Sequence, residues 1–107
     1  QINLAILATE NSDKLLVIKF YADWCVSCNK LERVVFSDSD VVQALRSTLA
    51  LTADVTDNNQ VNQKLLARFN LVGPPAILFF KDGKEQRSHR IIGEISATGF
   101  MKHVNSL

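Results

Sequence analysis

The chain has too few cysteines to be held together by them. There are two, Cys25 and Cys28, three positions apart, and two cannot make a disulfide framework. It also lacks any run of like charge: 12 basic and 11 acidic residues are mixed along the sequence and leave a net charge of +1. No basic stripe marks a nucleic-acid partner, and no acidic tail marks a solvating segment. No stretch approaches the roughly 18–20 apolar residues that a bilayer crossing needs. No charged, then apolar, then small-residue leader opens the chain. Repeats, low-complexity tracts and linkers are missing, and the two histidines, His89 and His103, have no ligand spacing between them. What is there is 107 residues, 47% of them apolar, which suits one compact domain over residues 1–107 with a core that needs no staples. A domain trimmed from a larger secreted or membrane protein would have the same composition.

Hydrophobic spacing gives the order of elements. "INLAILATENSDK" predicts a short helix ended by polar breakers, and "LLVIKFYAD" (Leu15–Asp23) reads as a central buried strand. Leu31, Val34 and Val35 recur at helical spacing between Ser27 and Val35. "SDSD" (Ser37–Asp40) is a capping cluster ahead of a second helical face made by Val41, Val42 and Leu45. "LALTADV" (Leu49–Val55) is another strand. Val61, Leu65 and Phe69 then fall at i, i+4 and i+8 of an amphipathic helix that Gly73-Pro74-Pro75 stops. "AILFF" (Ala76–Phe80), a tight Asp82-Gly83 turn and "EQRSHRII" predict a strand, a hairpin and its return. Ser96 caps a last helix that uses Ala97, Phe100, Met101 and Val104. Strands separated by helices are expected to be parallel, with an antiparallel hairpin at the end. The expected fold is therefore α/β, a mixed central sheet with helices on both faces. It starts on a helix without a first edge strand, as a domain excised from a larger protein would.

The two cysteines stand between a buried strand and a helix. There, Cys25 falls in the helix's first turn, where unpaired backbone N–H groups and the macrodipole favour an anion. A free thiol titrates at about 8.5, and such placement in a C-x-x-C motif lowers this to roughly 3.5–7.5. Cys25 then becomes a thiolate nucleophile, and Cys28, one turn on, resolves the mixed disulfide without a cofactor. Two other roles compete. A closed zinc site needs four ligands, and the histidines do not supply the missing pair. An inert structural disulfide has no need of a strand-to-helix junction or of the neighbouring Trp24.

"WCVSC" after a buried strand, with Pro75 opening a later strand, resembles the thioredoxin superfamily. "YADWCVSC", "FSD" at Phe36–Asp38 and "GPPAILFF" are similar to one branch of it, the C-terminal periplasmic domains of the DsbD family of thiol:disulfide interchange proteins. The likeness runs from the first helix to the last. It implies a protein-disulfide reductase whose only redox group is the Cys25–Cys28 pair, with no metal and no other cofactor. Electrons would arrive from a transmembrane domain of the same protein and leave to its N-terminal periplasmic domain, on the way to disulfide isomerases and cytochrome c maturation factors. The implied place is the periplasm, tethered to the bacterial inner membrane through the parent chain, with the isolated domain a monomer that makes transient mixed disulfides. Two alternatives stand beside this. One is a free-standing thioredoxin-like reductase or cytochrome c maturation reductant, although free thioredoxins more often carry Gly-Pro where this chain has Val26-Ser27. The other is a non-enzymatic metal-binding or interaction module, which has no need of both cysteines.

The resemblance also assigns residues around the pair. Pro75 matches the family's cis-proline, which lies against the dithiol and lets a partner strand pair nearby. Pro74 stands where the family has an aliphatic residue, and it removes a backbone N–H. Trp24 shields one side of the active site, and Trp24, Val26, Pro74 and Pro75 would meet a partner. Tyr21 and Asp23 complete the motif, with Asp23 read as a solvated loop acid. Glu32 matches an acid near the active site, where a carboxylate disfavours the thiolate and can relay a proton to Cys28. Lys19 breaks the pattern, since the superfamily carries a buried aspartate there. A charged lysine near the pair would stabilise the thiolate, a deeply buried one would lose its proton, and a snorkelling one would do neither.

Overall fold

The computed structural model of the chain describes residues 2–107. Helix α1 (Ile2–Ala8) leads to strand β1 (Leu16–Tyr21), followed by α2 (Val26–Val34), α3 (Ser39–Arg46) and β2 (Leu49–Asp54). Helix α4 (Gln60–Arg68) precedes β3 (Ala76–Lys81), two short strands β4 (Lys84–Glu85) and β5 (Ile91–Ile92), and α5 (Ala97–Asn105). The sheet order is β2-β1-β3-β4, and β5 also pairs with β3.

β1 holds the centre because it is apolar on both faces. Leu16, Ile18 and Phe20 point to one side and meet Leu78, Phe80 and Phe69, with Ile6, Leu65 and Leu66 packed outside them. Val17 points to the other side, toward Leu31, Val41, Ile77, Phe79 and Phe100. Lys19 shares that second face through the two-residue period of a strand. Asp38 caps α3 by accepting from the backbone N–H groups of Asp40 and Val41, and Ser96 caps α5 by accepting from Gly99 N–H. The Asp82-Gly83 turn has φ of 50° and 75°, the left-handed pair that a two-residue hairpin needs.

β1 and β2 are parallel, as expected of strands joined through helices. β3 also follows a helix, yet it runs antiparallel to β1. Register explains the difference: Tyr21 pairs with Asp54 at the end of β2, and Phe20 pairs with Ala76 at the start of β3. The connection between them leaves and returns at the same end of the sheet, the end where α2 begins. The return strand expected over "EQRSHRII" is broken in two. Gln86 N–H bonds to Phe79 O at 2.7 Å, Arg87–His89 then lifts off as a 3₁₀ turn, and Ile91 rejoins opposite Ile77. Six consecutive polar residues, Glu85 to Arg90, offer no apolar alternation to hold the middle against the sheet, and the Arg90–Glu85 ion pair closes the excursion.

One face of α4 also differs from expectation. Phe69 is buried, but Val61 is 74% exposed and Leu66 packs toward the core with Leu65. A stripe spaced by four drifts about 40° per step in a helix of 3.6 residues per turn, so i and i+8 no longer share a face. In the second core Phe100 lies 5.6 Å from Phe36 and 6.2 Å from Phe79, ring centre to ring centre, and is fully buried. Phe100→Ala is expected to lower unfolding free energy by about 3–5 kcal/mol through the cavity it leaves. Urea denaturation measures this; a loss below about 1 kcal/mol would mean that α5 does not close the core.

Candidate active site

After Tyr21 the chain turns through Ala22, Asp23 and Trp24 into α2. Cys25 is the N-cap, with extended backbone, and its Sγ accepts the backbone N–H of Cys28 at 3.1 Å. Cys25 N–H bonds back to Ala22 O, and Asn29 N–H bonds to Cys25 O. The two cysteines are joined as a disulfide, with Cα atoms 5.2 Å apart and exposures of 6% and 3%. Cys28 Sγ lies deeper, 4.0 Å from the carbonyl oxygen of Phe20. The first turn of α2 has no acidic residue of its own, so nothing within the helix competes with a Cys25 thiolate for the field at its N-terminus.

The loop that carries Trp24 is tied down by residues that sequence reasoning missed. Thr56, just past β2, accepts Asp23 N–H on its hydroxyl at 3.0 Å, and its carbonyl accepts the Trp24 indole N–H at 2.9 Å. Asp54 holds Thr56 in turn by accepting both its backbone N–H and its hydroxyl. Those two bonds, the hydroxyl's first, hold the Asp54 carboxyl below the usual carboxylate range. On the α2 side, Asn29 donates to Asp23 O and accepts from the Tyr21 hydroxyl, each at 3.1 Å. The "DVT" at 54–56 was the available signal, an Asp able to accept from the residue two positions on. Asp23 itself is exposed, as a solvated loop acid should be.

The Pro74–Pro75 peptide bond is cis, as the resemblance implied. Pro75 borders a small cavity of about 10 Å³ that Cys28, Lys19, Glu32, Phe36 and Ile77 also line, close to the size of one water site. Lys19 neither loses itself in the core nor reaches open solvent. Its side chain is 17% exposed, its Nζ lies 3.1 Å from Glu32 Oε2, and it stands 4.2 Å above the Phe36 ring. The residue that breaks the family pattern is thus paired with the one that keeps it. Trp24 is 62% exposed and lines a groove of about 300 Å³ with Val55, Asn62, Leu66, Val72 and Pro74. Val26 projects from the first position of α2 at 82% exposure, outside that groove.

Beyond the dithiol, the structure brings together two residues that the sequence holds apart. The rings of His89 and His103 meet edge to face at 5.8 Å. Among the described residues no group of three or more His, Cys, Asp or Glu gathers as a metal site would. Nor, among them, is any helix long and apolar enough to cross a membrane.

A buried C-x-x-C disulfide that caps a helix at the end of a central strand, beside a cis-proline, defines a thioredoxin-like thiol:disulfide oxidoreductase domain. A family model described as thioredoxin-like matches residues 1–82. The chain is 36% identical over 104 residues to "Thiol:disulfide interchange protein DsbD 2" of Pseudomonas aeruginosa, covering 96% of this chain and 18% of that protein. With the DsbD of Yersinia pestis the identity is 42% over 103 residues, 95% of this chain and 17% of the relative. The oxidised C-terminal domain of Neisseria meningitidis DsbD is 30% identical, with a TM-score of 0.77 over 87% of this chain and 79% of that one. The same domain in reduced form superposes with a TM-score of 0.83 at 28% identity, over 98% and 92%. The chain belongs to the thioredoxin-like family and, within it, to the group formed by the C-terminal domains of DsbD. It spans less than a fifth of the length of the curated relatives it matches.

Burial sets an expected order of reactivity. In the reduced chain at neutral pH, iodoacetamide should modify Cys25 and leave Cys28 largely unmodified, since the deeper sulfur is less open and lacks the helix-end N–H. Peptide mapping after alkylation checks this, and preferential labelling of Cys28 would reverse the assigned roles.

Proposed function

We propose that this chain is the relay domain of a larger DsbD-type protein, passing electrons from a transmembrane domain to an N-terminal periplasmic domain by dithiol–disulfide exchange. The observation that carries this reading is the capping sulfur. Cys25 Sγ already receives the Cys28 N–H at 3.1 Å, a contact that strengthens when the sulfur is an anion.

In the reduced domain the Cys25 thiolate attacks one sulfur of the partner's disulfide. A Cys25–partner bond forms, the partner's S–S bond breaks, and one partner sulfur leaves as a thiolate. Cys28 loses its proton and attacks Cys25 Sγ. The Cys25–Cys28 disulfide closes and the second partner sulfur is released, so two electrons have moved to the partner. The membrane domain restores the dithiol by the reverse exchange. No cofactor enters, because the electron pair resides in the two cysteines. The exposed side of Trp24 and the groove it shares with Val72 and Pro74 offer the partner an apolar seat, with Val26 and Pro75 bordering the sulfurs. By the same likeness the domain works in the periplasm, attached to the inner membrane through the rest of its chain, and acts as a monomer.

Glu32 and Lys19 supply the proton management in this reading. Glu32 lines the cavity that reaches Cys28, and that cavity is on the scale of a single bridging water. Lys19 offsets its charge and holds one oxygen in place. Lys19→Met leaves an uncompensated carboxylate beside the pair and should move thiolate formation to higher pH. Glu32→Gln leaves a lone ammonium and should move it to lower pH. Ultraviolet titration of the thiolate reads both directions, and curves identical to wild type would remove the two residues from the mechanism.

The function itself is tested by insulin reduction with dithiothreitol supplied. Cys25→Ser should abolish the catalysed rate, whereas Cys28→Ser should accumulate a mixed disulfide with the N-terminal domain of the same protein. Full turnover by Cys25→Ser would overturn the exchange. A Cys28→Ser trap that never captures that domain would overturn the relay.

A further inference from the structure

On the Trp24 flank of the dithiol, Thr56 accepts the Asp23 amide on its hydroxyl and the Trp24 indole N–H on its carbonyl. The opposite flank is held differently. After β5, Gly93 takes a φ of +90° with open space around its Cα, and its N–H bonds to Pro75 O at 3.1 Å. The next residue, Glu94, reaches across to α2. Its Oε2 accepts the hydroxyl of Ser27, the residue just before Cys28, at 2.8 Å, and its Oε1 lies 3.1 Å from Lys30 Nζ. One short loop therefore bonds on one side to the proline edge and on the other to the helix that carries both cysteines.

We infer that Glu94 is a positioning residue, a side-chain clasp that fixes the first turn of α2 against the Pro75 edge and so sets how a partner disulfide is presented to Cys25. The inference rests on the exchange reading above. Geometry gives the clasp its character. Lys30 and Glu94 are 56% and 46% exposed, so each bond competes with water, and such contacts hold a geometry without adding much to stability. Ser27 is the part that couples it to the chemistry, because its hydroxyl lies between the two cysteines in sequence and is committed to Glu94 instead of to a sulfur. The Ser27 hydroxyl, followed by the Lys30 ammonium, holds the Glu94 carboxyl below the usual carboxylate range, so the acceptor stays ionised at neutral pH. Lys30 and Glu94 also line a groove of about 340 Å³ with Leu31, Val34 and Ile95. A clasp built this way can open and reclose as a partner docks.

The test is single-turnover oxidation of the reduced chain by a disulfide-bonded peptide, followed by Trp24 fluorescence. Glu94→Ala and Ser27→Ala should each raise the half-saturating peptide concentration by about two- to five-fold, the range of one exposed charged contact. The limiting rate should change little, and the melting temperature should not move with either substitution. The double variant should be no worse than Glu94→Ala alone, since that substitution already removes the Ser27 bond together with the Lys30 pair. Unchanged half-saturation in either single variant, or effects that add, would overturn the clasp. If instead the reduced wild-type chain is not oxidised at all, or Cys25→Ser reacts equally well, the exchange reading itself has failed. That outcome is distinct from a wild type that reacts but ignores Glu94.

Discussion

The site depends on one bond, the backbone N–H of Cys28 given to the sulfur of Cys25. Helix N-termini are ordinarily capped by Ser, Thr, Asp or Asn, whose oxygens accept well in any charge state. Here a sulfur takes that place, and it accepts well only when it carries charge. The start of α2 is thus better capped when the nucleophile is ready than when it is a neutral thiol. Strand β1, buried on both faces, fixes where this cap sits, and the loop from β2 to β3 returns to the same end of the sheet to set Pro75 against it.

α2 is anchored on its two sides by ion pairs of unlike setting. Lys19 reaches Glu32 from beneath, with the ammonium largely shielded and lying over an aromatic ring. Glu94 reaches Lys30 from above, with both groups well exposed. The carboxylates of the two pairs are about equally exposed, 44% and 46%, so screening separates the pairs mainly at the lysine end. That asymmetry puts the shielded lysine on the side of α2 that carries the buried Cys28.

Much of this could be read from the residues. The run Leu15–Asp23 announces a two-sided buried strand because it has no polar alternation, and Asp38 and Ser96 announce helix starts by their side-chain chemistry. The C-x-x-C spacing and its flanks carry the family. What escaped was whatever depends on faces meeting across the fold. Lys19 and Glu32 are 13 residues apart, and only the face of β1 that α2 covers brings them together. Thr56 and Glu94 look like ordinary loop residues until the strand ends are set side by side. Val61 was assigned to a buried stripe because spacing by four looks continuous on paper but winds around a real helix. The polar middle of "EQRSHRII" leaves the sheet for the same kind of reason: nothing in it had a core to face. His89 reaches His103 only through that departure.

The proline pair beside the dithiol also governs what the chain avoids. At the start of β3, Pro74 and Pro75 are two consecutive residues without an amide hydrogen, and the carbonyl of Pro75 is already taken by Gly93. An extended segment arriving there finds no donor to meet its own carbonyls, so it cannot continue the sheet residue by residue. The apolar patch around Trp24 and Val72 thus borders a stretch of backbone that has no N–H to give an arriving strand.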